Sequence, residues 1–202
     1  MSDELSKNAS ELLTKIRDKG PLVWNFSNFV SMDIAANALL SIGASPAMAH
    51  AKEEAKDFTE ICKAISGALT INIGTFDPYW QECALEAAKN ANEKNIPWVL
   101  DPVGAGASDF RNKNVEQLIK FKPTVLRGNG SEIMAVAGLS GGGKGVDSTS
   151  TSNDALDAAI SIAKKNKIIV AVTGAIDYVT DGNITYAIEG GHEMMTKVTA
   201  TG

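Results

Sequence analysis

The stretch "PWVLDPVGAGASDFRNKNVEQLIKFKPTVLRGN", residues 97–129, decides the fold. It opens on a short apolar run that ends in Asp101, then passes through a loop bearing Gly104 and Gly106. The amphipathic segment "FRNKNVEQLIKF" follows, and a second apolar run closes on Arg127, Gly128 and Asn129. Strand, helix and strand in this order make a βαβ unit, and the connection is long enough for the two strands to run parallel.

The same alternation continues on both sides. Upstream, "LVWNF" and "ALTINIG" are strand-length apolar runs, separated by the helical segments "MDIAANALLSIG" and "KEEAKDFTEICKAIS". An earlier helix carries Leu5, Leu12, Leu13 and Ile16 at helical spacing and closes at Gly20 and Pro21. Asp77 and Pro78 supply an N-cap and a first-turn proline for a helix through Lys94. Downstream, "SEIMAVAG" predicts a short helix and "LDAAISIAKKN" a longer one. "KIIVAVTG", "IDYVTD" and "ITYAIEG" predict strands, the last two an antiparallel edge around Asp181 and Gly182. "TKVTATG", residues 196–202, reads as a threonine-rich strand entering a turn.

The strands are apolar on both faces, which predicts a doubly covered sheet. The expected architecture is α/β, a three-layer sandwich of a mainly parallel central sheet with helices on both faces, in one domain over residues 1–202. Residues 140–153, "SGGGKGVDSTSTSN", read as a mobile loop.

With 202 residues, 44% of them hydrophobic and 21% charged, the chain can build a real core. A net charge of −5 disfavours nucleic acid and anionic membranes as partners. No apolar run reaches the ~20 residues of a membrane span. The N-terminus lacks a cationic start followed by an apolar core, so a cytoplasmic setting is expected. Cys62 and Cys83 fall in helical segments without CxxC spacing and read as reduced, half-buried thiols.

Open α/β sheets bind ligands beyond the carboxyl ends of their strands. Those ends are polar here: Asn25 to Asn28, Asn72 and Gly74, Asp101, Arg127 to Asn129, and Thr173 with Gly174. Asp101 and Glu132 could hold Mg²⁺ directly or through water, because this ion keeps several waters and takes few protein ligands. Arg127 could neutralise a triphosphate. The competing reading makes Asn129 or Ser131 a helix cap, with Glu132 merely complementing the helix dipole. "GLSGGGKG" imitates a phosphate-binding loop through Lys144, but Gly145 stands where Ser or Thr should hold magnesium. It also follows a helical segment rather than a strand. His50 and His192 belong to no ligand-spaced cluster, and neither a GxSxG elbow nor a zinc pattern is present.

"NFVSMDIAANALLSIGASPAMAHAKEE", "INIGTF", "LDPVGAGAS", "LRGNGSEI", "VTG" and "TKVTATG" together resemble the hydroxyethylthiazole kinases of thiamine salvage, in order from about residue 20 to the end. The resemblance implies a ribokinase-like fold and transfer of the γ-phosphate of ATP, as co-substrate, to the alcohol of 5-(2-hydroxyethyl)-4-methylthiazole. It implies Mg²⁺ as cofactor, and a homotrimer with thiazole pockets between subunits. Met48 matches the thiazole-contacting methionine, and Ala200 the residue whose backbone faces the substrate. Asn28 falls in the most specific block and is expected to line the pocket. Arg127 and Thr173 match ATP contacts, Asp101 and Glu132 the magnesium-linked acids. Thr199, Ala200, Thr201 and Gly202 match the turn that cradles the moving phosphoryl group.

Two departures accompany the resemblance. Trp24 and Asn25 stand where the family carries a His-Cys pair. The family turn is followed at once by a cysteine and a helix, so no residue of this chain is assigned as the catalytic one. The expectation is a truncated kinase of little activity with an exposed apolar sheet face. A thiazole- or nucleotide-binding protein without turnover is the alternative. A general sugar or pyrimidine kinase of the ribokinase type is disfavoured by the block around "SMDIAANALLSIGASPAM".

Overall fold

The computed structural model describes residues 2–139 and 152–200, with Met1, residues 140–151, Thr201 and Gly202 outside the description. Helix α1 (Ser2–Lys19) leads into β1 (Leu22–Phe26), α2 (Met32–Ser41) and β2 (Ser45–Ala47). A short 3-10 helix (Lys52–Glu54) precedes α3 (Ala55–Ala64), β3 (Ala68–Asn72) and α4 (Pro78–Glu93). Then come β4 (Trp98–Asp101), α5 (Asp109–Ile119), β5 (Val125–Asn129), α6 (Gly130–Leu139) and α7 (Ser152–Asn166). Strands β6 (Ile169–Thr173), β7 (Ile176–Thr180) and β8 (Thr185–Glu189) complete the sheet, and a second 3-10 helix spans Glu193–Lys197.

The sheet order is β2-β1-β3-β4-β5-β6-β7-β8. Its first six strands are parallel, while β7 and β8 are antiparallel, turning at Asp181 as the sequence predicts. The Asp181 carboxylate accepts the N–H groups of Asn183 and Ile184, an Asx-type turn. Strand β2 is an addition to the sequence reading. It has only three residues, with Pro46 at its middle, which suits an edge position.

Coverage of the sheet follows from crossover handedness. The step from β1 to β2 runs one way along the sheet, and every later parallel step runs the other. Right-handed crossovers therefore put α2 on one face and α3 to α7 on the opposite face. Burial agrees. Trp24, Phe26, Leu69, Ile71, Trp98, Leu100, Leu126, Val170 and Val172 are fully or nearly fully buried in one core with α3 to α7. Trp24 stacks on Phe58 with ring centroids 5.5 Å apart, and its Nε1–H donates to Ala49 O at 2.9 Å.

The intervening residues, among them Val99, Asp101, Val125, Arg127 and Ala171, are only half-buried, and Ile169 is exposed. The sheet is thus covered evenly on one face and partly on the other, which corrects the expectation of strands buried on both sides. Two further boundaries differ. Ser152 and Asn153, expected in the 140–153 loop, open α7, and the rest of that loop lies outside the described residues. Residues 196–198 form no strand: the chain leaves β8 through Gly190 and Gly191 and coils into the 3-10 helix. His192 caps that helix by accepting Met194 N–H at Nδ1.

Candidate functional site

A cavity of about 650 Å³ opens along the carboxyl ends of β1, β3, β4, β5 and β6 on the less covered face. That volume suits a drug-sized ligand. One wall is apolar, built by Ile34, Ala35, Ala38 and Leu39 of α2. The opposite side is polar, with Asn72, Asp101, Arg127, Glu132 and Thr173. Ala200 closes one side with φ at 65°, a left-handed conformation uncommon for a residue with a Cβ.

Asp101 ends β4 and lies beside Asn72 in the parallel register of β3 and β4. Asn72 Nδ2 donates to Asp101 Oδ2 at 2.8 Å. Arg127 Nη1 stands 3.9 Å from the same oxygen. Burial, and then the nearby charge of Glu132, push the Asp101 carboxyl up to about 6, against the opposing pull of Arg127 and the Asn72 hydrogen bond.

Glu132 is held from two sides. Its Oε2 accepts the N–H of Asn129, while Asn129 Oδ1 accepts the N–H of Glu132. This reciprocal pair is a capping box for α6. Its Oε1 accepts the N–H of Gly104, which ties the loop after β4 to the start of α6. The capping interpretation of Asn129 and Glu132 is realised, and the same geometry fixes Glu132 on the cavity wall. Thr173 pairs with Asn129 at the end of β5 and β6, so it enters the cavity beside the cap.

Asn28, expected to line the thiazole pocket, turns inward within this chain. It is buried and does not line this cavity; Ser27 and Ser31 do. Its Oδ1 accepts the N–H groups of Val30 and Ser31, each at 2.9 Å, and its Nδ2 donates to Asn72 Oδ1 at 2.9 Å. The amide is used inside the turn that starts α2. Met48 follows the edge strand β2 and is half-buried outside the cavity lining. Two residues further on, His50 joins Phe29 and Phe76 around Trp80, with ring centroids 4.3, 5.0 and 6.2 Å away. Of the two residues that depart from the family pattern, Trp24 points into the core and only Asn25 reaches the cavity, where it accepts the Thr70 hydroxyl. Thr199 is an exposed turn residue beside Ala200; Thr201 and Gly202 lie outside the described residues.

Arg111 was not singled out from the sequence. Its guanidinium donates to Val103 O at 2.7 Å, Gly74 O at 2.8 Å and Ile73 O at 3.0 Å. It binds the loops after β3 and β4 to each other. The available signal was an arginine seven residues after Gly104, whose bare Cα leaves room for that side chain. Among the described residues, no group of three or more His, Cys, Asp or Glu side chains could hold a metal ion. No described helix is long and apolar enough to cross a membrane.

A mixed sheet with its ligand cavity at the parallel strand ends is the ribokinase-like architecture of small-molecule kinases. Pyridoxal kinase from Staphylococcus aureus, in complex with AMP-PCP and pyridoxal, shares this fold at a TM-score of 0.57 and 18% identity, over 83% of this chain and 70% of that one. The particular family follows from closer likenesses. The chain belongs to the hydroxyethylthiazole kinase family, whose model matches residues 13–202. It is 53% identical over 191 residues to the hydroxyethylthiazole kinase of Rhizobium rhizogenes, covering 95% of this chain and 70% of that one. The solved hydroxyethylthiazole kinase of Pyrococcus horikoshii OT3 superposes with a TM-score of 0.85 at 42% identity, over 95% of this chain and 70% of that one.

Proposed function

We propose that this chain moves the γ-phosphoryl group of ATP to the primary alcohol of 5-(2-hydroxyethyl)-4-methylthiazole, a step of thiamine biosynthesis or salvage. The observation that carries the reading is the meeting of Asp101, Arg127, Glu132, Thr173 and Ala200 on one cavity, from four separate stretches of sequence. Phosphoryl transfer depends mostly on positioning and electrostatics, and these residues offer both.

Arg127 and Thr173 bind the nucleotide phosphates, Arg127 with a guanidinium suited to paired phosphate oxygens. The turn at Thr199 and Ala200 receives the transferring group. The apolar wall from α2 takes the heteroaromatic ring and excludes water from the reacting alcohol. Asp101 and Glu132 fit Mg²⁺, because two carboxylates share the site with one opposing guanidinium. Both Glu132 oxygens already accept backbone N–H groups, so Glu132 serves through water, and Asp101 is the acid that meets the ion more directly. When bound, the ion neutralises phosphate charge as a Lewis acid.

A homotrimer completes the proposal, with Met48 reaching a thiazole site at the subunit boundary. The exposed apolar side chains of Phe29, Val30 and Tyr79 around this strand end support it. A cytoplasmic setting suits a kinase that draws on ATP.

The test is ADP release from purified chain with Mg-ATP, with and without the thiazole alcohol, alongside calorimetry of each ligand. Alcohol-dependent ADP release carries the reading. Binding of both ligands without turnover would make the chain a binding protein, and no affinity for either would refute the assignment altogether.

A further inference from the structure

We infer that Asn72 is a positioning residue of this site: it orients Asp101 and connects that acid to the turn that opens α2. The inference rests on the proposed kinase reading for its functional consequence, but its geometry stands independently.

The direction of every hydrogen bond in the chain from Asn28 to Asp101 is forced. Asn28 Oδ1 faces two backbone donors, Val30 N–H and Ser31 N–H, so its Nδ2 must point the other way, toward Asn72. Asn72 Oδ1 accepts that Nδ2 and also the N–H of Gly74 at 2.9 Å. The Asn72 amide cannot be flipped without setting its NH₂ against two donors and its oxygen against a carboxylate. Nδ2 of Asn72 is therefore committed to Asp101 Oδ2 at 2.8 Å. Backbone N–H groups at one end thus determine that an amide donor, and not an amide oxygen, meets the Asp101 carboxylate.

The relay also fixes distance. A Cβ on Gly74 would lie 2.8 Å from Asn28 Nδ2 and 3.0 Å from Asn72 Oδ1, so the two amides meet only over a glycine. The 28–31 turn feeds α2, whose side chains form the apolar cavity wall, while Asp101 stands on the charged side. Asn72 is the shared partner of both. Second partners that hold an ion's carboxylate ligand change metal affinity by about 10–100-fold when removed.

Two variants separate positioning from mere structure. Asn72→Ala removes the amide. Asn72→Leu keeps the approximate volume and adds no charge, but loses the donor to Asp101. The probes are Mn²⁺ alone, followed by electron paramagnetic resonance, and the side-chain amide signals of Asn28 and Asn72 in NMR spectra of the 202-residue chain. Both variants are expected to weaken Mn²⁺ binding about tenfold or more. They should also lower kcat while leaving KM for the thiazole alcohol within about twofold. Asp101→Ala is expected to move the Asn72 NH₂ signals and, through them, those of Asn28.

Mn²⁺ affinity unchanged in both variants would overturn the inference, as would Asn72 signals indifferent to Asp101→Ala. Should the parent chain take up neither Mn²⁺ nor ATP, the kinase reading fails by itself. The NMR pair then decides the orienting role: coupled signals uphold it, uncoupled signals end it.

Discussion

Asp101 places a charge where burial opposes it, and that has a sign that can be measured. Its carboxyl is raised from the ordinary 3.8 to about 6, first by burial and then by Glu132. A group that holds its proton more tightly when folded contributes stability that is complete below about pH 4. That contribution is lost as pH rises through about 6. Ligand-free protein should therefore lose on the order of 2 kcal/mol between these limits from this residue. Asp101→Asn keeps an acceptor for Asn72 and removes the charge. It should melt above the parent at pH 7.5 and match it near pH 4, in thermal denaturation followed by circular dichroism. A variant melting below the parent at pH 7.5 would mean that the carboxylate stabilises the fold. Gly74 allows a second residue-scale test. Gly74→Ala drives a methyl group into the Asn28–Asn72 contact, and overpacking of this kind costs about 1–3 kcal/mol. Urea titration should show that loss, and an unchanged midpoint would imply that the two amides separate freely. The acids and the arginine of the site were legible in the sequence because strand ends in a parallel sheet converge. The inward turn of Asn28 was not, because its partner Asn72 lies 44 residues away and only register brings them together.

At the scale of elements, two helix starts that look alike in sequence do different work. Asp77 caps α4 by accepting Trp80 N–H at 2.8 Å, with Pro78 in the first turn. Asn129 and Glu132 cap α6 reciprocally, but Glu132 also holds Gly104 and faces the cavity. Asp77→Ala should cost about 1 kcal/mol, as an N-cap loss does, and leave ATP affinity unaltered. Glu132→Ala should cost at least as much and weaken Mg-ATP binding as well, because the 103–106 loop loses its tether. Paired urea melts and calorimetry compare them, and equal ATP affinities in the two variants would reduce Glu132 to a cap. Most elements could be read from periodicity and caps. Strand β2 could not, since three residues around a proline give no period and exist as a strand only by pairing with β1. The close of the chain misled for a related reason: Thr and Val at 196–199 favour strand intrinsically, yet Glu193–Lys197 coil into a 3-10 helix instead.

At the scale of the molecule, crossover order governs what the strands alone conceal. Apolar residues on both sides of a strand say that both faces can be covered. Only the sequence of leftward and rightward steps says how many helices each face receives. One leftward step gives the cavity face a single crossover helix, α2, and leaves room for a ligand beside it. The same strand ends carry apolar side chains left largely in solvent: Phe29, with one side against Trp80, is 69% exposed and Val30 64%. Both belong to the turn that Asn28 ties together, and Phe29 N–H donates to Thr75 Oγ1, so the turn is held while its side chains face outward. Rigid exposed apolar groups favour association, since little ordering entropy remains to be lost. On the proposed homotrimer, the chain should elute with the mass of three copies in size-exclusion chromatography with light scattering. Phe29→Glu together with Val30→Glu should shift it toward the single-chain mass, because burying two carboxylates at a subunit boundary without partners is strongly unfavourable. The double variant should keep the parent's far-ultraviolet circular dichroism, as both side chains are already in solvent. A parent that runs as a single chain at tens of micromolar (roughly the range where weak interfaces still close), or a double variant that stays trimeric, would remove this turn from the subunit boundary.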